Sequence, residues 1–150
     1  MNINENAPVT AAGVIDVAAN QETIWSVLSA IDRWPDWNPD IKEAARQGEL
    51  AVGSRFSWKT GPGTINSTIL ELQRPYMIAW KGMTLGIRAI HVWRLEPGDK
   101  KTRVMTEESW EGLLPRILTG LMKRMLQRSI DSGLMHLKKE AEIRATHEKF

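Results

Sequence analysis

The sequence predicts an α+β fold in which a curved, seven-stranded antiparallel sheet covers its apolar face with a long C-terminal helix. Three observations predict it. Between about residues 41 and 110, short segments of period-two alternation are separated by turn residues. After Pro115 the apolar period changes to that of a helix and holds almost to the end. Ahead of the sheet, one strand is followed by an amphipathic helix, so strands and helices are segregated rather than alternating.

Taken in order, residues 12–18 read as the first strand, and Asn20 then caps a helix that begins Gln21-Glu22-Thr23, with Ile24, Trp25, Val27, Leu28 and Ile31 on its apolar face. The stretch Trp34-Pro35-Asp36-Trp37-Asn38-Pro39 follows. Pro35 and Pro39 disfavour helix in the residues before them, which predicts a stiff, non-helical corner presenting Trp34 and Trp37 in defined directions. Such rings either plug one end of a core or line a ligand entrance. Ile41 to Gln47 and the alternating Val52 to Trp58 make a hairpin; Gly61-Pro62-Gly63 turns the chain into a strand over 66–72. Arg74-Pro75 interrupts, residues 77–81 resume, and Ile87 to Glu96 pairs through Pro97-Gly98-Asp99-Lys100 with Thr102 to Trp110. In the last helix, Leu114, Leu118, Leu121, Met125, Ile130, Leu134, Leu137 and Ala141 read as the inward stripe. Only the first ten residues and the tail after about Thr146 read as frayed, leaving a core of about 12–146 in one domain spanning 1–150.

Composition narrows the function. The absence of cysteine removes disulfides, thiol nucleophiles and thiolate metal sites, and fits the cytoplasm. Lys+Arg 20 against Asp+Glu 18 is too balanced for a nucleic-acid binder. No apolar run is long enough for stable membrane insertion. The three histidines have no metal-ligand spacing, and neither a phosphate loop nor a nucleophile elbow occurs, so no metal and no cofactor is expected. Seven Trp against 2 Phe and 1 Tyr point to flat, polarizable interior walls that suit aromatic or polycyclic guests.

The Trp-Pro corner, Val52-Gly53-Ser54-Arg55, Arg74-Pro75 with Trp80, Val92-Trp93-Arg94-Leu95-Glu96-Pro97 and Thr102-Arg103-Val104, in that order, resemble the SRPBCC (START-like, helix-grip) superfamily in its polyketide cyclase/dehydrase-like branch. The resemblance runs from about Ala12 to Ile143. It implies a sheet wrapped around the C-terminal helix, two short helices after the first strand, and a deep apolar cavity that takes lipids, sterols, polyketides or other hydrophobic small molecules. It does not imply one chemistry.

Strand parity then selects candidate residues. If Trp93 faces inward, so does His91; Phe56 with Trp58, and Ile78 with Trp80, form further inward pairs. On the partner strand Val104 inward brings Thr106, Glu108 and Trp110 to the same face. His91 and Glu108 could therefore meet in an apolar cavity and act as proton-transfer groups in a cyclase or dehydratase, or simply hydrogen-bond each other. Asn66 and Thr68 share the parity of Leu70 and Leu72 and are candidates to orient a guest's carbonyl. Leu121 and Met125 complete the candidate ligand-binding set on the helix, and mid-helix Gly133 marks a close approach by a tryptophan or a guest. Arg116, Lys123, Arg124 and Arg128 give this helix a basic outer face that either meets solvent or touches anionic membranes. Gly112, Leu113 and Leu114 are either a plain connection or a gate acting with the corner.

Three functions are consistent with these residues: binding of a hydrophobic, aromatic or polycyclic small molecule without turnover; an aromatase/cyclase or dehydratase using Glu108 and His91; and a protein-interaction domain whose cavity is filled by its own side chains. Oligomeric state, monomer or homodimer, is left open.

Overall fold

In the computed structural model, which describes residues 1–148, strand β1 (Val9–Val17) begins earlier than its alternation indicates. The reason is that the first residues are anchored, contrary to the expectation of fraying. Ile3 packs on Met77, Ala79 and Val92 on the outer side of the sheet, the Asn4 amide donates to Ser109 Oγ at 3.2 Å, and the Met1 ammonium lies 3.3 Å from Glu71.

Helix α1 (Gln21–Ser29) starts where Asn20 accepts the Thr23 amide, and Ile24, Trp25, Val27 and Leu28 are buried along it. The Trp-Pro corner is helical, which corrects the sequence expectation. A 3-10 turn over Ile31–Arg33 leads straight into α2 (Trp34–Trp37), whose first turn contains Pro35. At that position the missing N–H has no intrahelical partner to lose, so proline starts the turn instead of breaking it.

Strands β2 (Glu43–Gln47), β3 (Arg55–Thr60), β4 (Gly63–Gln73), β5 (Met77–Thr84), β6 (Ile87–Pro97) and β7 (Thr102–Glu111) complete one seven-stranded sheet of order β1-β7-β6-β5-β4-β3-β2, antiparallel throughout. The Arg74–Pro75 bond between β4 and β5 is cis. Strand β4 carries a register shift between Ile69 and Glu71. Parity therefore reverses at Leu70: Ser67 and Ile69 are buried before it, and Leu72 packs on the core after it.

The C-terminal helical region is two pieces, α3 (Leu113–Ile117) and α4 (Thr119–Glu148), broken at Leu118. The break sets the phase of α4, and the buried stripe is Met122, Leu126, Ile130, Leu134, Leu137 and Ala141. Leu114, Leu118, Leu121 and Met125, expected on that stripe, are exposed. Burying each stripe leucine contributes roughly 1.5–3 kcal/mol, the main force holding α4 in the grip. Close approach of β1 depends on Gly13, where an added Cβ would stand 2.6 Å from Leu134 Cδ1. The expected fraying after Thr146 is absent as far as Glu148, whose Oε2 accepts the Thr23 hydroxyl at 2.7 Å; the rest of that tail lies outside the described residues.

Polar side chains engage main-chain groups at both edges of the sheet. Along β1, Gln127 Nε2 donates to the Ala12 carbonyl at 3.0 Å, Lys138 Nζ to the Asp16 carbonyl at 2.8 Å, and the Ala18 amide just beyond donates to Glu142 at 2.9 Å. Burial alone would raise the Glu142 carboxyl, but the Ala18 amide and the Lys138 ammonium outweigh it and hold the group below its ordinary range. On β2, the Arg46 amide donates to Asp32 Oδ1 at 2.6 Å.

Candidate functional site

The inner faces of β3, β5 and β6 carry Phe56 and Trp58, Ile78 and Trp80, and His91 and Trp93, as strand parity predicts. Register sets Trp80 opposite His91, and His91 opposite Glu108. Trp34, 3% exposed, stands among these rings with centroids 5.6 Å from Phe56, 5.5 Å from Trp58 and 5.4 Å from Trp80. Its indole N–H donates to the Leu28 carbonyl at 2.9 Å, which ties the corner to α1. The stack continues from Trp80 to His91 at 4.9 Å and from His91 to Trp93 at 5.3 Å. Both corner tryptophans line one cleft, Trp34 buried within the ring cluster and Trp37 half-buried at its margin.

The cleft, of about 50 Å³, is bounded by Trp37 on the corner, Trp58 and Trp93 on the sheet, and Ser129 and Gly133 on α4. A water needs roughly 10–15 Å³ in such terms and a drug-sized ligand about 300–1,000 Å³, so the open space holds a few waters or a small group. Around it the interior is packed with the aromatic and aliphatic side chains of one core cluster. Trp93 approaches α4 at Gly133, where a Cβ would lie in ordinary contact, 3.9 Å from Trp93 Cη2. Ser132 Oγ donates to Asp40 Oδ2 at 2.6 Å and latches the corner loop to α4.

Two of the residues that line the cleft, Trp37 and Trp93, carry indole N–H groups that are buried and have no hydrogen-bond partner among the described residues. By contrast, Trp58 Nε1 donates to Ser67 Oγ at 3.2 Å.

Behind the cleft, His91 and Glu108 do come together, with Nδ1 2.9 Å from Oε1 but out of line for a linear hydrogen bond. Trp110 Nε1 donates to Glu108 Oε2 at 2.6 Å. His91 Nε2 is 2.8 Å from Thr106 Oγ1, whose hydroxyl donates to the Val92 carbonyl at 3.0 Å. With that hydroxyl proton committed, Nε2 is the donor toward Thr106. Both ring nitrogens therefore point at neighbours on the sheet. His91 lines the cleft, whereas Thr106, Glu108 and Trp110 do not.

Four candidates fall elsewhere. Asn66 and Thr68 lie on the opposite face of β4 from Ser67 and Ile69, because the shift at Leu70 cancels the parity inferred from Leu72. Leu121 and Met125 are 47% and 46% exposed, because the break at Leu118 rotates α4 to bury Met122 and Leu126. The gate at Gly112–Leu114 is likewise not part of the cleft: Gly112 is pressed against the Gly86 carbonyl of the β5–β6 hairpin. Ser67, Asp40, Ser129 and Ser132 were missed. Ser67 had a signal, its parity with Ile69; the Asp40–Ser132 latch joins residues too distant in sequence for any local pattern.

Comparison with solved structures gives a START superfamily protein from Mycobacterium smegmatis at 21% identity, TM-score 0.70, covering 92% of this chain and 97% of that one. The Zhui aromatase/cyclase from Streptomyces is 18% identical, TM-score 0.79, covering 90% and 94%. Norcoclaurine synthase from Thalictrum flavum, in complex with dopamine and hydroxybenzaldehyde, is 14% identical, TM-score 0.68, covering 87% and 84%. At these identities the likeness is one of fold. No curated protein sequence matches the chain. The family described as polyketide cyclase / dehydrase and lipid transport matches residues 8–142, and with the sheet, grip helix and short helices all in place, this chain belongs to that family.

Proposed function

We propose that the chain binds an apolar small molecule bearing a carbonyl or phenolic oxygen at the Trp37–Trp93–Gly133 cleft, and releases it unchanged. The observation that carries this reading is that two residues lining one cleft, Trp37 and Trp93, each hold a buried indole N–H with no partner among the described residues, which a small side-chain movement would turn toward a guest. A buried donor without an acceptor costs about 1–3 kcal/mol, which a guest oxygen would offset. A single ring or smaller group enters with least rearrangement. A polycyclic guest requires release of the Asp40–Ser132 latch and movement of Trp37. The absence of cysteine suits a cytoplasmic setting.

Intrinsic tryptophan fluorescence tests the proposal with a panel of phenols, aryl ketones and hydrocarbons of matched size. Oxygenated guests are expected to change the emission and hydrocarbons to bind less well. Trp37→Phe and Trp93→Phe should weaken the oxygenated guests several-fold, since each removes one N–H donor. Emission unchanged across the whole panel would overturn the reading and favour an interaction domain with a filled interior.

The closeness of His91 to Glu108 favours a second reading, a cyclase or dehydratase. It requires one of these groups to turn from its sheet partners toward the guest. Glu108→Gln keeps an oxygen for Trp110 and removes the carboxylate. Under the binding reading it should leave guest affinity within about twofold and cost about 1–3 kcal/mol of stability. Turnover that disappears in this variant while binding persists would establish the enzyme.

A further inference from the structure

The segment from Gly112 to Ile130 differs from the rest of the chain. It contains Arg116, Lys123, Arg124 and Arg128 and no acidic residue. Its apolar side chains are largely outside the core: Leu113 is 69% exposed and Ile117 65%, with Leu118, Leu121 and Met125 also exposed. On α4, Leu121 and Met125 form one i,i+4 row, and Arg124 and Arg128 form the row beside it. Among the described residues none of the four cations has a carboxylate partner. The acids that flank the segment are engaged, Glu111 by the Asn4 side chain and Asp131 by Gln127.

We propose that this segment docks the protein on an anionic lipid surface, lying in the headgroup layer without crossing it. Exposed leucines rimmed by unpaired cations match both parts of such a surface, since the leucines enter the acyl boundary while the cations meet lipid phosphates or carboxylates. No helix among the described residues is long and apolar enough to cross a membrane, which fits an in-plane arrangement. A second copy of the chain fits poorly, because a symmetric contact would bring two sets of four like charges together with no acid between them. Nucleic acid would pair the cations but leave the leucine row uncovered. Met125 stands one helical turn before Ser129 of the cleft, so the docked face adjoins that cleft.

Vesicle flotation of the full chain tests this, using phosphatidylcholine alone and phosphatidylcholine with about 30% phosphatidylglycerol. Binding is expected only to the anionic vesicles and should weaken as salt rises. The double variant Arg124→Glu/Arg128→Glu should lower vesicle affinity by about tenfold or more. Ile117→Ser/Leu121→Ser should also lower it, with the charge intact. All four positions are on the surface, so unchanged thermal melting would confirm that the variants are folded. Equal flotation on both vesicle types, no flotation on either, or undiminished flotation of the charge-reversed protein would overturn the proposal. So would a dimer in solution that Ile117→Ser/Leu121→Ser disperses, which would assign the face to a second copy.

Discussion

The two halves of the space between sheet and helix are filled in different ways. Beneath β1 and β7, α4 supplies Ile130, Leu134, Leu137 and Ala141, which close on Val9, Val17 and Val104 in an aliphatic core. Beneath β3 to β6 the filling comes mostly from the sheet and the corner, as Trp34, Phe56, Trp58 and Trp80 meet ring to ring and His91 links Trp80 to Trp93. Aliphatic side chains interlock with a helix and leave no polar atom to satisfy. Indoles fill volume but bring N–H donors, and two of those remain unpartnered. The first half has its polar needs met by construction, whereas the second holds polar groups that the packing leaves unpaired among the described residues.

The largest expected effect lies in the aliphatic half. Leu137→Ala, at a position with no exposure, should lower unfolding stability by about 2–5 kcal/mol in denaturant titration. Trp37→Phe at the cleft should cost under about 1.5 kcal/mol, as a near-conservative change at a half-buried site. Equal losses would erase the distinction. The same substitution at two glycines sharpens it further. Gly13→Ala forces a Cβ to 2.6 Å from Leu134 and 3.0 Å from Ile130, with an expected cost of about 1–3 kcal/mol. Gly133→Ala meets only Trp93 at 3.9 Å and replaces a mid-helix glycine, so it should stabilise by up to about 1 kcal/mol. Because it narrows the cleft, that variant should also weaken guest binding, a combination readable by melting and fluorescence together.

The smallest effect concerns the β1 edge. Since the folded Glu142 carboxyl is held below its ordinary value, its contribution is present above the unfolded pKa and is lost as pH falls through the folded one. In Glu142→Gln, the stability lost between pH values near 5 and near 3 should be smaller than in the parent, measured as the change in melting temperature. An unchanged acid limb would show that the strap at Ala18 contributes nothing.

Most of the fold was legible because its signals are local: the Asn20 cap, the alternation of β6 and β7, and the turn at Pro97-Gly98 each lie within a few residues. Beyond the helical corner and the anchored first residues, the misreadings occurred where a single residue resets a count. In α4 the warning was visible, since Met125 to Ile130 is a step of five, whereas Met122, Leu126, Ile130 and Leu134 keep the helical interval of four. At Leu70 the warning was slighter, because Ile65 and Ile69 keep one parity and Leu70 and Leu72 the other, so only the adjacent pair Ile69-Leu70 marks the shift. The meeting of His91 with Glu108 followed from parity and hairpin register. The latch between Asp40 and Ser132 and the lack of partners at Trp37 and Trp93 depend on tertiary packing that no spacing encodes.

An unclosed sheet ordinarily exposes main-chain groups that invite another chain to extend it. Here Gln127 and Lys138 take up carbonyls on one margin and Asp32 takes up an amide on the other. At these three positions foreign backbone finds its partner already taken, so an open sheet carries part of its own guard against polymerisation.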